Sequence, residues 1–166
     1  MMPSKGYGRV LHSTRQTFIP WKVAMNSRKY IIQPNQKKDI INLISQHIEK
    51  FRHEIIFAYV FGSFIARNSF SDIDIAVMAR EHIENPLDFE IILENEMEGV
   101  VRFRTDIRLL NRAPLAFSHS VIRTGRLIVD RDSNVRADFE NRILKQYFDF
   151  SYCIREYLGE VLHAPV

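Results

Sequence analysis

Two aspartates, Asp72 and Asp74, stand two positions apart in the stretch Asp72-Ile73-Asp74-Ile75. Side chains with this spacing project from the same face of a β-strand, so the two carboxylates should point together while the isoleucines enter a core. Like charges held so close repel each other unless water, an arginine or a cation balances them. Hard divalent cations bind oxygen ligands of this kind, so the pair suggests metal-assisted phosphate chemistry.

Gly62 and Ser63 directly follow the apolar run Ile55–Phe61 and precede Asp72 by a short segment. Glycine lets the backbone approach a phosphate closely, and the serine hydroxyl and the following N–H groups can donate hydrogen bonds to it. An isolated Gly-Ser pair would usually be an ordinary turn. Here an apolar strand leads into the pair and an alternating strand follows it, which favours a phosphate-binding turn.

Asp106 is a third candidate carboxylate, and it lies between Arg104 and Arg108 on a strand predicted over residues 101–110. Taken alone, Asp106 would be explained by an ion pair with either arginine at a sheet edge. Together with the upstream aspartates it would complete a set of three carboxylates. Such a set can hold one or two Mg²⁺ ions that bridge the oxygens of a nucleoside triphosphate.

The elements that must position these residues follow an α/β pattern of about four strands flanked by helices. Apolar residues recur at helical spacing after Pro34, and glycine or proline punctuates the segments that follow. The predicted order is a helix, the strand Ile55–Phe61, a turn or short helix over 62–71, a strand over 72–78, a helix over 86–99, the strand over 101–110, a short helix through Ile122, the strand Arg126–Asp130 and a long final helix over about 134–162.

Composition fits one domain, because 166 residues with 46% hydrophobic content can bury one core but leave no room for a second full domain. Residues 1–29 hold six Lys/Arg and no acid, so they read as an irregular basic arm before a domain spanning 30–166. An upstream extension before Met25 or a transit peptide are alternative readings of the arm.

Charge and cysteine content narrow the functional classes. The net charge of +3 comes from residues 1–50, whereas the rest carries fourteen Lys/Arg against eighteen acids, so broad nucleic-acid binding is not favoured. Cys153 is the single cysteine, which excludes an intrachain disulfide and fits the cytoplasm. The sequence shows no apolar run long enough for a membrane span.

The motif Phe61-Gly62-Ser63, followed by Asp72-Ile73-Asp74, resembles the DNA polymerase β-like nucleotidyltransferase superfamily, and Asp106 matches that superfamily's third carboxylate. Residues 106–114 and 125–128 extend the resemblance to the minimal nucleotidyltransferases. The similarity covers about residues 35–155. It implies a polymerase β-like fold with a mixed sheet and a long C-terminal helix.

The resemblance also implies an activity and roles for individual residues. Asp72, Asp74 and Asp106 would bind Mg²⁺ and act in catalysis, with ATP as the substrate, and AMP would pass to a protein hydroxyl. Gly62 and Ser63 would bind the nucleotide, with Arg67 and Arg108 as further candidates. The best understood minimal nucleotidyltransferases are antitoxins that adenylylate a tyrosine of a HEPN-domain toxin, so such a toxin is the expected partner.

Two other functions stay open at this point. The chain could be a small-molecule nucleotidyltransferase of the aminoglycoside type, with its acceptor site completed by a dimer partner. Alternatively, it could be a non-catalytic module that binds a partner through the final helix, whose apolar residues exceed what one small sheet needs. The same apolar surface also allows a homo-oligomer.

Overall fold

Strands and helices alternate along the chain in the computed structural model, which describes residues 29–80 and 83–163. In chain order the elements are β1 (Tyr30–Ile31), α1 (Pro34–Ile48), β2 (Ile55–Phe61), α2 (Gly62–Ala66), β3 (Ser69–Phe70), β4 (Ile73–Ala79), α3 (Pro86–Val101), β5 (Thr105–Leu109), α4 (Leu115–Thr124), β6 (Arg126–Asp130) and α5 (Ser133–His163). A single 3₁₀ turn over residues 49–51 separates α1 from β2. The predicted basic arm lies outside the described residues.

The main sheet has four strands in the order β5-β4-β2-β6. Strand β2 runs antiparallel to both β4 and β6, whereas β4 and β5 are parallel. The mixed sheet of about four strands predicted from the sequence is therefore confirmed. Strands β1 and β3 form a second, two-stranded antiparallel sheet that the sequence did not predict, because two residues are too few to show an alternating pattern.

Each face of the main sheet packs on a different pair of helices. On one face, Ile73 and Ile75 are fully buried in a cluster with residues of α1 and α3, such as Ile44 and Met97. The other face buries residues such as Ala76 against Phe139 of α5 and residues of α4. Strand β2 is covered on both faces, which explains why its sequence is continuously apolar rather than alternating.

Strand β5 is shorter than the predicted span of 101–110. Val101 still belongs to α3, and Arg102 adopts the left-handed conformation (φ 59°) that ends this helix. Arg104 therefore precedes the strand instead of belonging to it, and its carbonyl oxygen accepts a hydrogen bond from the Ile73 N–H at 2.9 Å. The prediction was wrong here because an apolar helix end and an apolar strand start look alike in sequence.

The outer edge of β5 is covered by three glutamates of α3, which we call the glutamate ladder. Their side chains recur every four residues and therefore share one face of the helix. They accept hydrogen bonds from alternate N–H groups of the strand: Glu98 from Thr105 (3.1 Å), Glu94 from Ile107 (3.0 Å) and Glu90 from Leu109 (2.8 Å). These bonds satisfy donors that an edge strand would otherwise leave unpaired.

Helix α5 begins on the sheet and ends beyond it. Its first half buries Phe139 and Ile143, and His119 of α4 stacks on Tyr147. Its second half exposes a set of large apolar side chains that we call the distal α5 stripe: Phe148, Phe150, Tyr152, Ile154, Tyr157 and Val161. No helix within residues 29–80 and 83–163 is both long and apolar enough to cross a membrane.

Candidate active site

Asp74 and Asp106 occupy matching positions on two neighbouring parallel strands. Asp74 is the second residue of β4 and pairs in register with Asp106, the second residue of β5. On the other side of β4, Asp74 pairs with Phe61, the last residue of β2. Asp72 lies immediately before β4, which begins at Ile73. The topology therefore brings all three predicted carboxylates to one end of the sheet.

The electrostatics of Asp74 show that the three carboxylates interact. Burial, and after it the negative charges of Asp72 and Asp106, together raise the pKa of Asp74 from 3.8 to about 6. The repulsion expected from the sequence is thus present in the fold. A cation placed among these groups would relieve it.

Gly62 brings the backbone directly against the Asp74 carboxylate. Its φ of 71° lies in the left-handed region, and a Cβ atom at this position would come within 1.9 Å of Asp74 Oδ2. Both the conformation and the space require glycine. The turn predicted to bind phosphate therefore starts in contact with a predicted metal-binding residue.

Ser63 and Arg67 line a cleft of about 350 Å³ beside Gly62, together with Ala66 and Thr124. The short helix α2 is closed by a hydrogen bond from the Arg67 N–H to the Ser63 carbonyl oxygen at 3.0 Å. Thr124 is the C-terminal residue of α4 and was missed in the sequence, since a threonine at a helix end is too common to indicate a site. We name this space the glycine-serine cleft.

Arg108 forms ion pairs with Asp106 and Glu90, and its predicted contact with the nucleotide stays a prediction. Its Nη2 lies 3.0 Å from Asp106 Oδ1, and its Nη1 lies 3.3 Å from Glu90 Oε2. The Asp106 side chain is partly exposed, yet Oδ1 itself is buried and accepts no hydrogen bond of good geometry. Glu90 was also missed, because only the fold places it beside Arg108. The arginine partly balances the charge of Asp106.

The donor set fits a hard divalent cation. As the described side chains stand, no three acidic, histidine or cysteine residues converge into a ready metal-binding group. However, Asp106 Oδ1 has an ion pair with Arg108 at 3.0 Å but no well-aligned hydrogen bond, and Asp74 sits close to two further carboxylates, so the negative charge of this group is only partly balanced. The residues present are therefore suited to Mg²⁺.

Comparison with known families agrees with this geometry. The sequence profile of the family described as Polymerase beta, Nucleotidyltransferase matches residues 38–134, more than half of the chain, and this span includes the three aspartates, Gly62 and Ser63. The chain belongs to this nucleotidyltransferase family. The resemblance noted in the sequence is confirmed at the level of the family. The curated proteins include no match to the sequence.

Several solved structures share the fold of this chain. A structure of the toxin–antitoxin MntA-HepT has a TM-score of 0.57 at 18% identity, covering 78% of this chain and 99% of that one. A complex of tri-AMPylated Shewanella oneidensis HEPN toxin with MNT antitoxin has a TM-score of 0.55 at 21% identity, covering 79% and 99%. A toxin–antitoxin structure with AMP-PNP has a TM-score of 0.59 at 21% identity, covering 74% and 98%. These similarities confirm the predicted fold.

Proposed function

We propose that this nucleotidyltransferase transfers AMP from ATP to a hydroxyl of a HEPN-type toxin and thereby acts as its antitoxin. One observation carries the proposal: the Gly62 backbone touches the carboxylate of Asp74, which pairs in register with Asp106. This arrangement joins a phosphate-binding turn to a set of cation ligands. Nucleotidyl transfer needs these two features side by side.

The proposed reaction divides the work among residues of the chain. Ser63, at the glycine-serine cleft, holds the β- and γ-phosphates, with Arg67 on the same wall. The acceptor oxygen forms a bond to the α-phosphorus, the bond from this phosphorus to the α,β-bridging oxygen breaks, and pyrophosphate leaves. Asp106 takes the hydroxyl proton. Catalysis then consists mainly of positioning and charge compensation.

Asp72, Asp74 and Asp106 are the residues that would hold Mg²⁺ in this reaction. When bound, the ion neutralises negative charge on the phosphate oxygens. The carboxylates would also be held together against their mutual repulsion, which the raised pKa of Asp74 reflects.

The partner is supported by the structures that share the fold. They include a toxin–antitoxin MntA-HepT, a complex of a tri-AMPylated HEPN toxin with MNT antitoxin, and a toxin–antitoxin structure with AMP-PNP. This chain covers 98–99% of the matched chains. A HEPN-type protein is therefore the acceptor that we propose to test first.

The decisive experiment incubates the protein with labelled ATP, Mg²⁺ and a HEPN-domain protein from the same organism. We expect label on that protein, and we expect it to disappear with Asp72→Ala, Asp74→Ala or a chelator. Asp39→Ala is the matched control, since Asp39 is an exposed aspartate of α1 away from the carboxylates. Labelling that persists in Asp74→Ala would contradict the assignment of the site.

A second measurement separates catalysis from simple binding. The toxin's ribonuclease activity is assayed with wild-type protein and with Asp74→Ala in the presence of ATP. If both proteins silence the toxin and neither labels it, contact alone accounts for neutralisation and the transferase mechanism fails.

A further inference from the structure

A second cavity, larger than the glycine-serine cleft, opens beside the β5 edge of the sheet. Its volume is about 680 Å³, within the usual range for pockets that bind a small molecule, and large enough for a few side chains. Its walls come from the loop after β4, from α3, from the end of β5 and from the start of α4. Its lining residues include Arg80, Ile83, Glu90, Arg108, Arg112 and Phe117.

Arg108 links this cavity to the carboxylates. It is one of the lining residues, and its guanidinium lies 3.0 Å from Asp106 Oδ1. Phe117 forms a second link, because its ring packs edge-to-face on Phe61, with ring centroids 5.5 Å apart. Phe61 is the register partner of Asp74. A group bound in the cavity could therefore reach Asp106 without crossing the glycine-serine cleft.

The charge of the cavity wall is positive. Three arginines, Arg80, Arg108 and Arg112, line it together with one acid, Glu90. The carboxylate of Glu90 already accepts hydrogen bonds from the Leu109 N–H at 2.8 Å and from Arg108 Nη1 at 3.3 Å. Apolar side chains such as Ile83 and Phe117 form the remaining surface. A segment that combines carboxylates with an apolar or aromatic body complements these walls.

The geometry of the proposed reaction favours the acceptor, rather than the nucleoside, as the group that occupies this cavity. The attacking and leaving oxygens lie roughly in line across a phosphorus that undergoes transfer. If pyrophosphate leaves toward Gly62 and Ser63, the acceptor arrives from the opposite side of Asp74, where Asp106 and the Arg108 cavity lie. A purine base would offer the arginines no negative charge, so the acceptor fits this cavity better than the nucleoside does.

We propose that the Arg108 cavity is the acceptor site and that it selects a protein segment with acidic residues a few positions away from the hydroxyl that is modified. This inference rests on the proposed function. Arg80 and Arg112 contact the acidic flank, while the hydroxyl reaches Asp106. The hydroxyl proton passes to Asp106, and the hydroxyl oxygen forms a bond to the α-phosphorus. The bond from this phosphorus to the α,β-bridging oxygen breaks, and pyrophosphate leaves with its electron pair.

The test measures binding of fluorescent peptides to the full-length protein without ATP. Each peptide has one central tyrosine flanked by glutamates, serines or lysines. We expect the glutamate peptide to bind at least about tenfold more tightly than the serine peptide, because several charge pairs form at once. Arg80→Glu and Arg112→Glu should each weaken this binding about tenfold and favour the lysine peptide.

Lys50→Glu is the matched control, since it makes the same charge change at an exposed site outside both cavities. It should leave peptide binding unchanged. Equal affinity for all three peptides, equal losses in Arg80→Glu and Lys50→Glu, or displacement of a bound ATP analogue by the glutamate peptide would each overturn the inference. Arg80 is exposed, so its substitution should leave the fold intact, which thermal unfolding verifies.

Transfer of labelled AMP distinguishes this inference from the proposed function. If the acidic peptide binds through Arg80 but neither peptide nor partner is ever labelled, the acceptor-binding surface stands and the transferase proposal fails. If the partner is labelled at equal rates by the wild type, Arg80→Glu and Arg112→Glu, the transferase proposal stands and the acceptor site lies elsewhere.

Discussion

Gly62 is the residue at which the site tolerates least change. A methyl group there would meet Asp74 Oδ2 at 1.9 Å and would force an L-residue to keep φ at 71°. We expect Gly62→Ala to lower the free energy of unfolding by about 1–3 kcal/mol and to abolish nucleotide transfer, since the Asp74 carboxylate must move. Chemical denaturation and the labelling assay measure the two effects.

Gly99→Ala is the natural comparison, because nothing lies within 4 Å of a Cβ atom built at Gly99 in helix α3. This change should leave transfer intact and stabilise the helix by about 0.5–1 kcal/mol. A similar loss of activity in both variants would show that the contact with Asp74 is not the cause.

The ionised Asp74 carboxylate should lower the free energy of unfolding at neutral pH, although activity requires it. Its pKa is raised from 3.8 to about 6 in the folded protein, so the folded state binds the proton more tightly than the unfolded chain does. Stability therefore falls as the pH rises from about 4 to 6, and the loss persists above that range. Asp74→Asn should raise the free energy of unfolding at pH 7–8 by about 1–3 kcal/mol while it removes activity.

Urea unfolding of the wild type and Asp74→Asn between pH 3 and 8 measures this difference. The two curves should converge below about pH 4, where Asp74 is protonated in both states. Asp39→Asn at the exposed surface of α1 provides the control and should follow the wild type throughout. A constant gap between wild type and Asp74→Asn at every pH would point to packing rather than charge.

The aspartates and the glycine of the candidate site could be picked out from the sequence. The residues that contact them from distant elements could not. The aspartates and the glycine are short-range signals, because strand alternation and a turn can be read from adjacent residues. Glu90, Thr124 and the Arg108–Asp106 contact depend on how separate elements fold together. No local pattern indicates them.

At the level of elements, the glutamate ladder should determine how firmly β5, and hence Asp106, is held. Glu94 accepts the Ile107 N–H at 3.0 Å, one residue from Asp106. Glu94→Ala should destabilise the protein by about 1–2 kcal/mol because a strand donor loses its partner. Glu94→Gln keeps a carbonyl acceptor and should recover most of this loss.

Amide hydrogen exchange at Ile107 is the specific readout for the ladder. Protection should fall in Glu94→Ala and return in Glu94→Gln, while Asn95→Ala, at an exposed neighbouring position, should not change it. Unchanged protection in Glu94→Ala would mean that the strand edge is held by other contacts.

Most element types, but not all their ends, followed from the sequence. Strands β2 and β6 match their predicted positions because turn residues bound them, and helix α4 ends at Thr124, two residues past its predicted end. The start of β5 did not, since the apolar residues of the α3 end continue the pattern without a break. Arg102 adopts the left-handed conformation that separates α3 from β5. Because this residue is not a glycine, no local pattern indicates the break.

Across the whole molecule, the two halves of α5 should contribute differently to stability. Phe139 is buried among residues of the sheet face, whereas Phe148 is 64% exposed and Phe150 is 54% exposed. Phe139→Ala should cost about 3–5 kcal/mol, and Phe148→Ser with Phe150→Ser should change stability by less than about 0.5 kcal/mol.

Thermal unfolding and sedimentation velocity test this contrast together. The double serine variant should unfold near the wild-type temperature and should associate less at high concentration, since it removes exposed apolar area. Loss of stability in that variant would show that the distal α5 stripe packs within the molecule. The sequence predicted this surplus of apolar residues but left open what covers it, and a homo-oligomer stays a prediction.

The glutamate ladder also limits how a partner chain can bind at the β5 edge. Alternate amides along the outer side of β5 are already engaged by Glu90, Glu94 and Glu98. A peptide that approached this edge as an additional strand would find these N–H groups already bonded. Extension of the sheet at the β5 edge is therefore blocked. A partner that binds beside the carboxylates must therefore insert side chains into a cavity. Its affinity then depends on its amino-acid sequence rather than on backbone hydrogen bonds.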